Sequence, residues 1–586
     1  MTQIGIDTFE ATHGIHVDWD AEIPLSDGTN LRADVYRPES DTPCPVLMSL
    51  GPYAKGFAFQ DYAPIQWRQL TAEHPEVVRD TSGLFAQWET VDPEKWVPHG
   101  YAVVRVDARG TGRSAGFMDP WSSRERHDYY ECIEWAAAQP WCSGKIGLSG
   151  ISYHAANQWM VATLKPPHLA AICVWEGMAD FYRDGARHGG ILCDFWLFWI
   201  KKQAAKMQHG LGSRSARSRA NGRLVTGEDN FSDEVLTSNR SSFENDLLEH
   251  ELLSPFYGER SGDPAMIDIP LLSAGNWGGH GLHLRGNVEA FLAAASEQKW
   301  LEIHGLEHWT EFYTDYGIEL QRRFFDYFLK DANNDWPSTP RVQLQIRRPT
   351  GFALRAENEW PLARTQWTRF YLRPEDRTLS GKPPAQHSET TYEGFGAGAT
   401  FISAPLETET EITGPAALKL FVSSSTTDAD IFAVLRAFDP AGKELLFSGA
   451  VDPNTPLGQG WLRASHRKLD PVRSTPYRPY HRHDEHWPLT PGARVELDVE
   501  MWPTCIVLPA GYRIAVTVQG KDYDEGGQAT ISNAGNTFRG SGGFTHTDPR
   551  DRDPAIFAGV TTIYSGPSSP SYVLLPVIPA DRSPRS

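Results

Sequence analysis

Continuous apolar runs, separated by helix-period segments, constrain the fold of this chain more than any other feature. The runs in the first half are 44–50, 101–107, 145–150 and 169–175. Residues 124–139, "RERHDYYECIEWAAAQ", have helical spacing between two of them. Strands that are apolar throughout and alternate with helices indicate a parallel sheet covered on both faces. Two later runs, 269–276 and 299–305, extend the same pattern.

A chain of 586 residues exceeds what one hydrophobic core usually organises, so we expect several domains. The pattern predicts an α/β core in residues 1–182 and 266–341. It is interrupted by 183–265, a helical, aromatic insertion that we interpret as a cap over the carboxyl edge of the sheet. From residue 342 to 586, strand-like runs alternate with Gly, Pro and Asp turns, which predicts an all-β sandwich of jelly-roll type.

Charge and composition limit the binding partners and the cellular location that we expect for this protein. The net charge of −19 argues against nucleic acid or an anionic membrane surface as the main partner. The start lacks the pattern of a signal peptide, and the apolar stretch 190–200 is too short to span a bilayer and is broken by Asp194. We therefore predict a cytoplasmic protein that acts on a small molecule. The high aromatic content leaves a homo-oligomer open.

The stretch "KIGLSGISYHAANQWM", residues 145–160, combines a strand, a turn at Ser152 and a helix. This is the geometry of a nucleophile elbow, in which strained backbone angles present a serine at the sheet edge. Gly150 supplies the small neighbour that such a turn needs. His154, two residues after the serine, departs from the usual GxSxG pattern. The pattern alone does not separate a nucleophile from an ordinary helix-capping serine.

A later histidine favours the nucleophile. Serine hydrolases on this fold place the base on a loop after the last core strand. In "WLEIHGLEHWTEFY", residues 300–313, His304 lies within the strand pattern and reads as a packed residue, whereas His308 lies in the following loop. His308 is therefore the predicted base.

Several longer motifs are also present in the right order: "LSDGTNLRADVYRP", "GYAVVRVDARGTGRSAG", "WAAAQPWCSGKIGLSGISYHAANQW" and "FTHTDPRDRDP". On these the chain resembles the CocE/NonD group of α/β-hydrolases, which includes cocaine esterase and X-prolyl dipeptidyl aminopeptidase. The resemblance implies a hydrolase core, a helical cap and a C-terminal jelly roll. It also implies that Ser152 is the nucleophile and His308 the base. The implied oxyanion hole combines the backbone N–H of Tyr153 with the hydroxyl of Tyr53.

The chain departs from the family at the acid. The family's aspartate follows the strand at 269–276, and here Gly278 occupies its place. The imidazole needs an accepting partner to fix its tautomer. Glu176, directly after the run 169–175, is predicted as a relocated acid, and Asp180 is the alternative. Glu176 could instead pair with a cap arginine such as Arg183.

Four tryptophans are candidates for lining the substrate pocket: Trp196 and Trp199 in the cap, Trp277 beside the missing acid and Trp309 beside the base. The histidines of "PYRPYHRHDEHW", His481, His483 and His486, fit no standard metal spacing. We expect neither a metal nor an organic cofactor.

The sequence thus predicts a serine hydrolase that cleaves an ester or amide of a small, partly apolar acyl compound. An X-prolyl dipeptidyl aminopeptidase and a β-lactam acylase use the same chemistry and remain alternatives. A protein of another class is also open, a degenerate hydrolase fold that only binds, because the acid is displaced.

Overall fold

A computed structural model describes residues 14–527, 530–531 and 537–580. The strands, β1 to β25 in chain order, are Ile15–Pro24, Asn30–Pro38, Cys44–Gly51, Ala102–Asp107, Cys142–Ile151, Leu169–Trp175, Arg187–His188, Ile191–Leu192, Leu271–Asn276, Lys299–His304, Val342–Arg347, Phe352–Glu357, Gln366–Arg373, Thr378–Ser380, Ser388–Glu393, Ala399–Ser403, Thr410–Ser424, Asp430–Phe438, Gly458–Arg463, Val495–Leu508, Arg513–Gln519, Thr530–Ile531, Thr537–Phe538, Val560–Ser565 and Tyr572–Ile578. The α-helices, α1 to α12, are Phe59–Tyr62, Pro64–Glu73, Pro93–Trp96, Ser123–Ala137, Tyr153–Ala162, Phe195–Trp199, Asp233–Ser238, Phe243–Glu249, Pro255–Glu259, Leu284–Ala293, Asp315–Lys330 and Pro554–Phe557.

Ten strands form the core sheet, in the order β1-β2-β4-β3-β5-β6-β9-β10-β11-β12. The strands from β4 to β11 in this order run parallel, and β1, β2 and β12 join them in antiparallel fashion. Each continuous apolar run of the sequence coincides with one of the parallel strands, so the predicted fold class is confirmed. Because neighbouring parallel strands end at the same edge, the residues that follow β5, β6, β9 and β10 meet there.

Helices cover both faces of this sheet. Trp159 of α5 and Tyr129 of α4 pack in one hydrophobic core, and Phe324 and Phe325 of α11 pack in another on the opposite face. All four side chains are buried. The sheet is thus closed to solvent on both faces, and side chains become reachable only at its edge.

The insertion after β6 begins with a π-helical turn at Phe181–Ala186 and continues through the β7–β8 hairpin and helices α6 to α9. Polar contacts tie it to the second domain. Arg187 forms a buried ion pair with Asp551 at 2.7 Å, and Asp194 accepts hydrogen bonds from the backbone N–H groups of Thr547 and Asp548.

The second domain is built on eleven hydrogen-bonded strands, in the order β15-β24-β17-β20-β19-β18-β21-β16-β14-β13-β25, with β25 also paired to β17. Their inward side chains form a separate aliphatic core. Strands β11 and β12 belong to the first sheet, because β11 pairs in parallel with β10 through Leu301 and Val342. The core sheet therefore continues past residue 341, the predicted boundary. Across the described ranges, no helix is long and apolar enough to cross a membrane.

Candidate active site

Ser152 occupies the sharp turn between β5 and α5. Its backbone angles, φ 58° and ψ −112°, are strained for a residue with a side chain. The backbone N–H donates to the carbonyl oxygens of Trp175 and Glu176, at 3.2 and 3.0 Å. The hydroxyl makes no capping hydrogen bond to its own helix. The serine thus has the geometry of an elbow rather than the function of a cap.

Two glycines make room for this turn and for the unusual His154. A Cβ on Gly150, where φ is 154°, would lie 2.5 Å from the Cβ of His154. A Cβ on Gly51 would lie 2.2 Å from the His154 ring. The His154 Nδ1 lies 3.0 Å from the carbonyl oxygen of Leu50, and burial lowers the pKa of His154 to about 3. His154 is therefore a neutral packed residue, accommodated by Gly51 on the neighbouring strand.

Glu176 lies where β6 leaves the sheet and is fully buried. Its Oε2 is 2.8 Å from Nδ1 of His308, and its Oε1 is 3.0 Å from Nε2 of His304. Burial would raise the pKa of Glu176, but the charge of His308 and the hydrogen bonds to both histidines hold it well below its usual range. The structure thus brings together the two residues that the sequence predicts as acid and base.

His308 lies between two carboxylates. Opposite Glu176, its Nε2 is 3.0 Å from Oε1 of Glu89. Burial alone would lower the pKa of His308, but the charge of Glu176 and the hydrogen bonds to both carboxylates raise it to about 10. Burial raises the pKa of Glu89. Sequence reasoning missed Glu89, which lies in the loop between Val78 and α3 and carries no motif.

The hydrogen bond of the Ser152 hydroxyl goes to another histidine. Nε2 of His283 lies 3.1 Å from Oγ of Ser152. The His283 ring stacks on the His308 ring, with centroids 5.3 Å apart and an interplanar angle of 15°. Sequence reasoning missed His283 as well. The signal was its place in "AGNWGGHGLHLRG", the same segment that lacks the family's aspartate.

A loop of the second domain leaves no room for a side chain at residue 278. A Cβ on Gly278 would lie 2.5 Å from Cα of Gly449 and 2.7 Å from the carbonyl oxygen of Ser448. The next residue, Ala450, donates its N–H to the Gly278 carbonyl and accepts the N–H of His308 at 2.9 Å. The loop that excludes a side chain at 278 therefore also positions the His308 backbone.

Asp180, the alternative acid, is engaged elsewhere. Its carboxylate forms an ion pair with Arg183 at 2.7 Å and accepts the Arg183 backbone N–H. Arg183 in turn donates to the carbonyl oxygen of His481 in the second domain. The cap arginine considered as a partner of Glu176 thus belongs to Asp180.

Tyr53 and Tyr153, the residues of the two predicted oxyanion donors, pack against each other with ring centroids 6.1 Å apart. Tyr153 is the first residue of α5, where N–H groups have no intrahelical acceptor. The Tyr53 hydroxyl accepts a hydrogen bond from Nε1 of Trp199 at 3.1 Å, which leaves its own proton available. Burial raises the pKa of Tyr53 well above its usual value, so the hydroxyl stays protonated. Lys55, two residues later, anchors this loop through Asp20 and Asp34.

The four candidate pocket tryptophans separate into three surroundings. Trp196 and Trp199 belong to the same buried cluster as Tyr53 and Tyr153. Trp309 packs in one of the two cores of the sheet, with its ring centroid 5.9 Å from that of Trp88. Trp277 belongs to a buried cluster with Trp461 and Trp502 of the second domain, and it donates to the carbonyl oxygen of Gln345 on β11.

One buried group in the described part of the chain has donor atoms arranged for a metal ion. The ligand atoms of His188, Cys193 and His546 lie within 4.8 Å of one another, at the contact between cap and second domain. This group includes none of the three histidines considered in the sequence. Nδ1 of His188 and Nε2 of His546 are already 2.8 Å apart, so the imidazoles are hydrogen-bonded to each other.

Together these contacts describe a nucleophilic site. A strained serine at the edge of a parallel sheet lies at hydrogen-bond distance from an imidazole, and the helix that begins directly after it has N–H groups without intrahelical acceptors. This arrangement can form and hydrolyse an acyl-enzyme.

Comparison with known proteins agrees with this arrangement. A model of the X-Pro dipeptidyl-peptidase (S15 family) matches residues 27–310, and one of the X-Pro dipeptidyl-peptidase C-terminal non-catalytic domain matches residues 334–574. The cocaine esterase of Rhodococcus sp. (strain MB1 Bresler) is 25% identical over 638 residues, which cover 95% of this chain and 97% of the relative. An α-amino acid ester hydrolase shares the fold at 17% identity, with a TM-score of 0.69 and 97% of each chain covered.

A solved structure settles the family. The CocE/NonD family hydrolase from Staphylococcus aureus is 30% identical to this chain, with a TM-score of 0.83 and 99% of each chain covered. The likeness includes the α/β core, the cap and the β-sandwich. The chain therefore belongs to the CocE/NonD family of hydrolases and is a serine hydrolase.

Proposed function

We propose that the enzyme cleaves a carboxylic ester or amide of a small, partly apolar acyl compound, through an acyl-enzyme on Ser152 with a neighbouring histidine as base; His308 is the base that the sequence predicts. The observation that carries this proposal is the strained turn at Ser152, whose hydroxyl leaves its own helix uncapped and lies at hydrogen-bond distance from an imidazole. Strain of this kind is retained where the surrounding structure requires it, most often at active sites.

The reaction follows the acyl-transfer pattern. Ser152 attacks the substrate carbonyl and gives its proton to the base. The carbonyl oxygen becomes an oxyanion that receives hydrogen bonds from the Tyr153 N–H and the Tyr53 hydroxyl. The base then protonates the leaving group, and a water molecule releases the acyl group by the reverse sequence.

His308 can act as this base under one condition. Glu176 orients its Nδ1, as the acid of a triad does. Its Nε2 is bonded to Glu89, however, and must exchange this carboxylate for the serine hydroxyl.

The surroundings of the site favour an apolar acyl group and an ester over a dipeptide. Aromatic side chains of the cap pack around Tyr53 and Tyr153. An X-prolyl dipeptidyl peptidase needs a carboxylate for the free α-ammonium of its substrate. The two carboxylates described at the site, Glu89 and Glu176, are both bonded to His308.

Turnover of matched substrates tests this function. The purified enzyme and a Ser152→Ala variant are assayed with p-nitrophenyl acetate, butyrate and benzoate, and with Gly-Pro-p-nitroanilide. We expect hydrolysis of the esters, little of the anilide and no turnover by the variant. Faster cleavage of the anilide would establish the peptidase alternative, and ester turnover that survives in Ser152→Ala would refute the proposal.

A further inference from the structure

His283 has a position that no motif assigns to it. It precedes α10 as the N-cap residue, and its carbonyl accepts the N–H of Asn287 at 3.1 Å, which fixes the backbone. The side chain is 1% exposed. Its Nε2 lies 3.1 Å from the Ser152 hydroxyl, while its Nδ1 is buried with no hydrogen-bond partner among the described residues.

His308 offers Ser152 no free nitrogen in this arrangement. Both of its ring nitrogens face carboxylate oxygens, Glu176 at 2.8 Å and Glu89 at 3.0 Å. When both nitrogens carry protons, neither has a lone pair. When Glu89 carries the shared proton instead, the lone pair of Nε2 accepts that proton's hydrogen bond. In either state this nitrogen is occupied.

The buried carboxylates bonded to His304 and His308 stabilise a positive charge on His283. Carboxylates and imidazoles alternate along one chain of hydrogen bonds: Glu302, His304, Glu176, His308 and Glu89, joined at distances from 2.7 to 3.0 Å. Three acids face two imidazoles, so one negative charge is in excess when all are ionised. An imidazolium that forms on His283 is repelled by His308 but attracted by this excess.

We propose that His283 is a second catalytic histidine, which takes the Ser152 proton while His308 stays bound to Glu176 and Glu89. The inference rests on the proposed function, because it names the base for the same nucleophile. Oγ of Ser152 forms a bond to the substrate carbonyl carbon as its proton moves to Nε2 of His283. When the bond to the leaving group breaks, the proton moves from Nε2 to the leaving atom. Water then repeats both transfers.

The two histidines would give different pH profiles. Burial lowers the pKa of His283 well below its usual value, and the charge of His308 is the second cause. His283 is therefore unprotonated at neutral pH. The charged groups that face His283 are His308 and Glu176, and those that face His308 are Glu176 and Glu89. With His283 as base, kcat/KM stays level from about pH 7 to pH 9. With His308 as base and a pKa of about 10, kcat/KM rises about tenfold per pH unit over that range.

Variants provide the second measurement. His283→Gln and His308→Gln are compared with His280→Gln, a control from the same loop whose ring accepts the Gln459 N–H. Loss of a general base costs about 10²- to 10⁴-fold in turnover. We expect His283→Gln to lose at least ten times more kcat than His308→Gln, with the control near the native value.

A kcat/KM that rises from pH 7 to pH 9 overturns the inference. So does a loss of kcat in His283→Gln that is less than ten times the loss in His308→Gln. The native profile gives the answer even where His308→Gln fails to fold. Covalent labelling of native Ser152 by a fluorophosphonate separates the two proposals. If native Ser152 reacts but His283 proves dispensable, only the second histidine is refuted. If native Ser152 does not react, the function itself fails.

Discussion

Glu176→Gln is the most informative perturbation of the buried network, because one carboxylate holds two imidazoles. Its oxygens lie 2.8 Å from His308 and 3.0 Å from His304. Both histidines have a pKa raised to about 10, with the charge of Glu176 among the causes. For His308 the rise from 6.5 to about 10 corresponds to about 5 kcal/mol, which is the net stabilisation of its charge by the two acids after the opposing effect of burial.

The substitution removes one partner of a buried ion pair, which costs about 3–5 kcal/mol. We therefore expect the free energy of unfolding at pH 7 to fall by about that amount. A histidine with a raised pKa contributes stability that is complete below pH 6.5 and lost as pH rises through the folded-state value. The native enzyme should lose stability between pH 6.5 and about 10, and the variant should lose much less over that window.

Urea unfolding followed by tryptophan fluorescence at pH 6.5, 8 and 10 measures this difference. Ester turnover, measured in parallel, should fall by about 10² to 10⁴, the larger loss applying when His308 is the base. Asp180→Asn is the control, because Asp180 pairs with Arg183 rather than with a histidine of the site. The reasoning would be refuted by a Glu176→Gln variant with native stability and near-native turnover, above all if Asp180→Asn lost its turnover.

Three further substitutions test other parts of the site. Tyr53→Phe removes one proposed oxyanion donor and should lower kcat about 10²- to 10³-fold. The control is Tyr62→Phe, whose ring centroid lies 5.5 Å from that of Tyr53 and which should keep the native kcat. Equal effects of the two substitutions would exclude the donor role. Gly278→Asp restores the family's aspartate but must displace Gly449, so thermal melts should show a lower Tm with no gain in turnover, and an active, stable variant would contradict this steric account. Gly150→Ala, whose Cβ would meet His154 at 2.5 Å, should likewise lower Tm and fluorophosphonate reactivity, and native values would show that the elbow tolerates a side chain.

The parallel core could be predicted because burial on both faces leaves a direct mark on the sequence. Strands such as Cys44–Gly51 and Leu169–Trp175 are continuous apolar runs, and the amphipathic helix Asp315–Lys330 follows them with its own period. Glu176 could be predicted for a related reason. The apolar run marks the end of β6 in the sequence. The residue just after it must therefore lie at the same edge of the sheet as Ser152.

His283 and Glu89 could not be predicted in the same way. They reach the site through loops, and their partners are 131 and 219 residues away in the chain. The loop of Glu89 has neither periodicity nor a motif, and the segment of His283 is distinguished only by the missing aspartate of the family. The close contact between Gly278 and the loop 448–450 depends on how two domains pack, which strand and helix patterns do not encode.

Covalent labelling at residue 152 tests the central claim most directly. The native enzyme and Ser152→Ala are treated with a fluorophosphonate, and the adduct is located by peptide mass spectrometry. The account predicts one stoichiometric adduct on Ser152 and none on the variant. An unmodified Ser152, or an adduct that persists in Ser152→Ala, would contradict it.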